Sequence, residues 1–241
     1  MSEMQNASAI GRLLEEISWE GARVRGYREG GRGLENVLTT EVFMLLDFLP
    51  RDRFLAPVIQ AAHGAEELRG RLANEAASAS FQLLPGDIRL ETAEINVQPD
   101  ATITTDTFAV LVEAKRIRPS AFQVEQLARE YLALLQEAGD RSPLLLLVLG
   151  SPPPVLIKGH GRMSPEDAVA LHLPDLLERM GSRDDAIALV KELPARLSWI
   201  TWGEIRGVVE AMLPDPHHME SSEASVFRLG SALLQAIDWH A

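Results

Sequence analysis

The chain has no cysteine among its 241 residues, which excludes disulfides, thiolate metal sites and a cysteine nucleophile. Long apolar runs are missing too. The longest aliphatic stretch, Leu144 to Leu149, is far short of the roughly 20 residues that a membrane-spanning helix needs. The opening Met-Ser-Glu-Met-Gln lacks the basic and apolar regions of a secretory signal. These absences predict a cytoplasmic protein with no membrane partner. Histidine is present six times, but never at a spacing typical of zinc or triad chemistry, so all six are read as structural or exposed.

Positive charge is also scarce. Lys and Arg number 23 against 35 Asp and Glu, and the net charge of -12 has the wrong sign for gripping nucleic acid by bulk electrostatics. Local runs differ: Arg23, Arg25, Arg28 and Arg32 share ten residues with one acid, Glu29, and Arg116 and Arg118 follow Lys115. They form either a basic rim or a solvated face. Only three of the cations are lysines (Lys115, Lys158, Lys191). Lys115 therefore stands out, because a lysine pKa can be tuned for chemistry while arginine stays charged.

What the chain does have is 46% hydrophobic content, enough for one globular domain over 1–241. Residues 97–104 and 107–115 are rich in β-branched and apolar side chains, and Thr105-Asp106 between them predicts a tight turn. If Thr104 pairs with Thr107, Asp100 faces Leu111, and Glu113 is its diagonal neighbour on the same face at roughly 7 to 8 Å or less. Lys115 shares that face because side chains alternate with period two. A slip of one residue would separate the two carboxylates. Two carboxylates so placed can share a hard divalent cation, with a lysine beside them to orient water or stabilise phosphoryl charge.

Pro99-Asp100 followed by Glu113-Ala114-Lys115 resembles the signature of the PD-(D/E)XK nuclease superfamily, including its bacterial branches. The resemblance extends outward. The helix expected from about Leu34 to Leu49 looks like the family's first core helix, whose glutamate often completes the metal site, and Ser120 to Leu127 looks like the helix after the catalytic strand. It implies a restriction-endonuclease-like αβββαβ core over about 33–150, with a mixed central sheet flanked by helices and with helical N- and C-terminal additions. The implied metal ligands are Asp100, Glu113, the Ala114 carbonyl and Glu35, with Mg²⁺ or Mn²⁺ as cofactor. Lys115 would act on the attacking water, and Gln123 or Gln126 would orient the site.

Helical spacing leaves two candidates for the third carboxylate. Glu35 matches the family position, whereas Glu41 falls near the middle of the stripe formed by Leu34, Leu38, Val42, Leu45 and Leu49. Ser120 and Gln123 read as a capping box that starts a helix at about residue 121. Gln126 and Tyr131 resemble the glutamine-tyrosine pair of RecB-like nucleases at a spacing of five instead of four, and Tyr131 also reads as a core aromatic.

Elsewhere, residues 7–25 read as a helix and Gly26 to Gly33 as a loop, while Leu144 to Leu149 read as a central strand. A C-terminal α/β extension over 151–241 includes a strand from Arg196 to Trp202 and a helix from about Gly203 to Met212. The Trp202-Gly203-Glu204 junction is similar to late strands in bacterial members, and Trp199 and Trp202 read as packing residues. The expectation is a metal-dependent endonuclease, a hydrolase of phosphodiester bonds acting on nucleic acid, with DNA ahead of RNA. A homodimer or a partner subunit could supply specificity. The alternative is a non-catalytic nuclease-fold protein acting as an interaction subunit.

Overall fold

The computed structural model describes residues 33–90, 95–117, 120–182 and 184–240. The helix expected over 7–25, the arginine cluster Arg23, Arg25, Arg28 and Arg32, and Arg118 lie outside the described residues. Apolar side chains at helical spacing form α1 (Gly33–Phe48), which stops just before Pro50 because proline cannot supply the next amide. Two shorter helices follow, α2 (Leu55–Ala61) and α3 (Glu66–Asn74). Then come β1 (Ser80–Leu83), β2 (Ile88–Arg89), β3 (Asn96–Val97), β4 (Ala101–Thr104), β5 (Phe108–Ala114) and β6 (Ala121–Phe122). Helix α4 (Gln126–Ala138) leads to β7 (Ser142–Leu149), β8 (Val155–Ile157) and β9 (Gly161–Met163). The chain continues through α5 (Pro165–Met180), α6 (Ala186–Arg196), β10 (Leu197–Thr201), α7 (Trp202–Met212) and α8 (Ala224–His240).

The main sheet runs β1-β4-β5-β7-β10 and is mixed: the first three strands pair antiparallel, and β5, β7 and β10 pair parallel. Every residue of β5 is buried, as expected for a central strand covered on both faces. On one face Val110, Val112, Leu146 and Val148 pack with Leu38, Val42 and Leu46 of α1, Ile205 of α7 and Leu233 of α8. On the other, Leu111, Leu145 and Leu147 pack with Leu127 and Tyr131 of α4 and Val169 and Leu173 of α5. The result is a helix–sheet–helix sandwich. Residues beyond 150 are part of it, since β10 adds an edge strand to the sheet, α8 packs on α1, and Ile200, Ile205 and Leu233 join the core. Among the described residues no helix is long and apolar enough to cross a membrane.

The hairpin forms, but its register differs from the expected one by two residues. Thr104 pairs with Ala109 and Ala101 with Val112, which leaves Asp106 and Thr107 as the turn. The cause is the chemistry of Thr105. Its Oγ1 accepts the Phe108 amide at 3.0 Å, and the Glu75 carboxylate accepts the hydroxyls of Thr105 (2.5 Å) and Thr107 (2.6 Å). Those bonds hold the Glu75 carboxyl below its usual pKa. A shift of two preserves facing; just beyond the paired residues the Asp100 amide donates to the Val112 carbonyl at 3.2 Å, and its carboxylate comes close to that of Glu113.

The expected capping box at Ser120 and Gln123 does not form. Ala121 and Phe122 are instead recruited as a strand by β8, Lys158 donates its amide to the Phe122 carbonyl at 3.0 Å, and the helix begins five residues late, at Gln126. Glu125 makes the corner in a left-handed conformation (φ 64°). A long-range pairing has overridden a local capping signal.

Candidate functional site

Asp100 stands just ahead of β4 and Glu113 near the end of β5, both buried. One oxygen of Asp100 accepts the Ala114 amide at 2.7 Å, so the carboxylate is aimed by the neighbouring strand's backbone. Lys115 follows β5 directly. Its amide donates to the Val148 carbonyl at 2.7 Å, and its own carbonyl accepts the indole N–H of buried Trp202 at 2.6 Å. The lysine backbone is thus held from both sides.

The side chain reaches two carboxylates. Lys115 Nζ donates to Glu113 Oε1 at 2.6 Å and to Glu35 Oε1 at 3.0 Å, and it lies 4.8 Å from the centre of the Phe122 ring. Glu35 sits in the first turn of α1, where the helix dipole favours an anion, and its other oxygen accepts the Arg116 amide at 3.3 Å. Of the two candidates for third carboxylate, Glu35 is therefore the one at the site. Glu41 is on another side of α1, with His240 Nε2 at 3.6 Å from its carboxylate.

Gln126, the first residue of α4, donates from Nε2 to Glu113 Oε1 at 2.5 Å and to Glu130 Oε1 at 3.0 Å, while its Oε1 accepts the Gln123 amide at 3.1 Å. Gln123 itself is exposed and joins the arrangement through its backbone N–H. Tyr131 is a fully buried core residue whose hydroxyl donates to the Leu189 carbonyl of α6 at 3.3 Å. Trp202 packs as expected but also holds Lys115, a role that no local pattern signals. Glu130 was not anticipated either, although a glutamate inside the apolar stripe of Leu127, Tyr131 and Leu134 is a readable anomaly. Among the histidines, His63 stacks on Trp199 (4.1 Å between ring centres) and meets Glu204 at 2.7 Å.

Burial dominates the electrostatics. It pushes the Asp100 carboxyl well above the usual range, and the charge of Glu113 adds to that push. Glu130 is raised for the same two reasons. For Lys115 burial opposes the charge, but Glu113, Glu35 and Asp100 outweigh it and hold the ammonium well above its usual pKa.

Glu35, Asp100 and Glu113 can each offer one oxygen such that all three atoms lie within 4.8 Å of one another. Oxygens held at about 2.1 Å on an octahedron stand roughly 3 to 4 Å apart, so small side-chain rotations would close this set on one ion. An all-oxygen donor set with no sulfur or imidazole suits Mg²⁺ or Mn²⁺. Comparison with family models, curated proteins and solved structures finds no match for the chain.

Proposed function

We propose that this protein is a divalent-metal-dependent nuclease with a restriction-endonuclease-like core, hydrolysing phosphodiester bonds with DNA ahead of RNA. The observation that carries the reading is the convergence of Glu35, Asp100 and Glu113 around a lysine that bonds two of them. Buried carboxylates are expensive without compensation. Here two buried carboxylates, Asp100 and Glu113, and the partly buried Glu35 gather around one ammonium that bonds Glu113 and Glu35, and a bound cation would offset the excess negative charge. With α2, α3, β2, β3 and β6 set aside as additions, the order α1, β1, β4, β5, α4, β7 supports the αβββαβ core implied by the Pro-Asp and Glu-Ala-Lys resemblance.

Asp100, Glu113 and Glu35 would hold the cation, and the resemblance adds the Ala114 carbonyl. Bound there, Mg²⁺ or Mn²⁺ would neutralise a phosphate oxygen and acidify a coordinated water. Lys115 has three N–H donors, of which Glu35 and Glu113 take two, so one remains for the attacking water or the scissile phosphate. Lys115 would place its ammonium where it can position or activate the attacking water. Gln126 fixes Glu113 from the helix side.

The test is cleavage of linear DNA, supercoiled DNA and RNA by the full chain with Mg²⁺, with Mn²⁺ and with a chelator. Asp100→Ala and Glu113→Ala should each abolish cation-dependent cleavage while the protein still folds. Full activity in either variant would remove the site assignment.

A further inference from the structure

Glu130 is 2% exposed on α4, four residues after Gln126 and therefore on the same helix face. Its Oε1 accepts one N–H of the Gln126 carboxamide, its Oε2 is buried with no hydrogen-bond partner among the described residues, and its carboxyl also interacts directly with that of Glu113. An apolar side chain would be cheaper there, since neighbouring inward positions of α4 are Leu127, Tyr131 and Leu134. The geometry around Gln126 supplies a reason for the carboxyl. The carboxamide oxygen is fixed by the Gln123 amide, so the nitrogen must face inward, and its two hydrogens go to Glu113 Oε1 and Glu130 Oε1. Glu113 Oε1 also takes the Lys115 ammonium.

We infer that Glu130 is a positioning residue for the metal centre: by holding the Gln126 carboxamide it commits Glu113 Oε1 to Gln126 and Lys115, and leaves Glu113 Oε2 as the ligand atom. This rests on the metal-binding reading above. Glu130 reaches Glu113 through the Gln126 carboxamide and also lies directly against the Glu113 carboxyl, so a double variant at Gln126 and Glu130 separates the two routes. Loss of Glu130 frees the carboxamide to rotate, and the glutamate it holds then samples orientations that present the wrong oxygen.

The test is the affinity of the full chain for Mn²⁺ alone, measured by calorimetry in wild type, Glu130→Gln, Glu130→Met, Gln126→Leu and the Gln126→Leu/Glu130→Met double variant, each with a thermal melt. Replacing a buried carboxyl by methionine is expected to leave the fold intact or firmer. Disruption of a partner behind a metal ligand typically weakens binding about 10- to 100-fold, so Glu130→Met should raise the Kd at least about tenfold. Glu130→Gln, which keeps an acceptor oxygen, should stay within about threefold of wild type. Because Glu130 acts through Gln126, the double variant should bind no more weakly than Gln126→Leu alone. A Glu130→Met Kd within twofold of wild type, or additive losses in the double variant, would overturn the inference alone. Absence of wild-type Mn²⁺ binding, or binding that survives Asp100→Ala, would instead defeat the metal reading and this inference with it.

Discussion

Lys115 places one ammonium against Glu35 and Glu113 together. Removing one partner from a buried ion pair typically costs about 3 to 5 kcal/mol, since the remaining charge is left buried and unpaired. Lys115→Met should therefore lower unfolding stability in chelator by about that amount, read from urea denaturation, with part of the loss restored by Mn²⁺. An unchanged midpoint would mean that the carboxylates do not depend on the lysine. Asp100, Glu113, Lys115 and Glu35 were legible through strand alternation and through a spacing that resembles the PD-(D/E)XK signature. Glu130 and the Trp202 indole were not, because one acts through another side chain and the other comes from an element 87 positions away.

At the scale of elements, the hairpin shows why part of the reading survived an incorrect register. Alternation fixes facing only modulo two, so a slide from the Thr104–Thr107 pairing to Thr104–Ala109 changed each residue's partner but not its face. The turn bonds from Glu75 that caused the slide come from a segment 30 residues earlier, beyond the reach of a local rule. The start of α4 was misplaced for a similar reason, since the pairing of β6 with β8 is non-local. The loop after β7 carries its own constraint. A Cβ on Gly150 would lie 2.3 Å from the Ile117 carbonyl oxygen and 2.4 Å from that of Arg116, so the backbone just past Lys115 could not stay in place. Gly150→Ala should cost about 1 to 3 kcal/mol of stability, as overpacking does, and should lower cleavage more than the melt alone explains. Wild-type activity at wild-type stability would show that this close approach does not position Lys115.

Over the whole molecule, the -12 charge means that, on the nuclease proposal, affinity for nucleic acid would have to come from local cations and a bound metal. The site's buried acids also leave a mark on global stability. Asp100 and Glu130 have folded-state pKa values above their unfolded ones, mainly through burial, so the folded chain holds more protons once pH exceeds about 4. Their contribution is full below that point and is lost as pH rises through the raised values. Glu75 and Glu204 are lowered and work in the opposite sense, losing their contribution as pH falls below about 4. In chelator, the melting temperature should therefore decline from mildly acidic toward alkaline pH, and Asp100→Asn should be more stable than wild type at pH 8 but not at pH 4.5. Saturating Mn²⁺ should flatten the wild-type decline, because a cation binds the ionised carboxylates. A wild-type profile that rises steadily with pH in chelator would contradict this electrostatic picture.

The central claim is that Glu35, Asp100 and Glu113 form a cation site beside Lys115. Anomalous diffraction from crystals of the full chain soaked in MnCl₂ tests it most directly. The account predicts a manganese peak at about 2.1 to 2.2 Å from one oxygen each of Asp100 and Glu113, with Glu35 drawn toward it and Lys115 Nζ adjacent. A manganese-saturated crystal with no peak among these carboxylates, and Lys115 still clasping Glu35 and Glu113 unchanged, would contradict it.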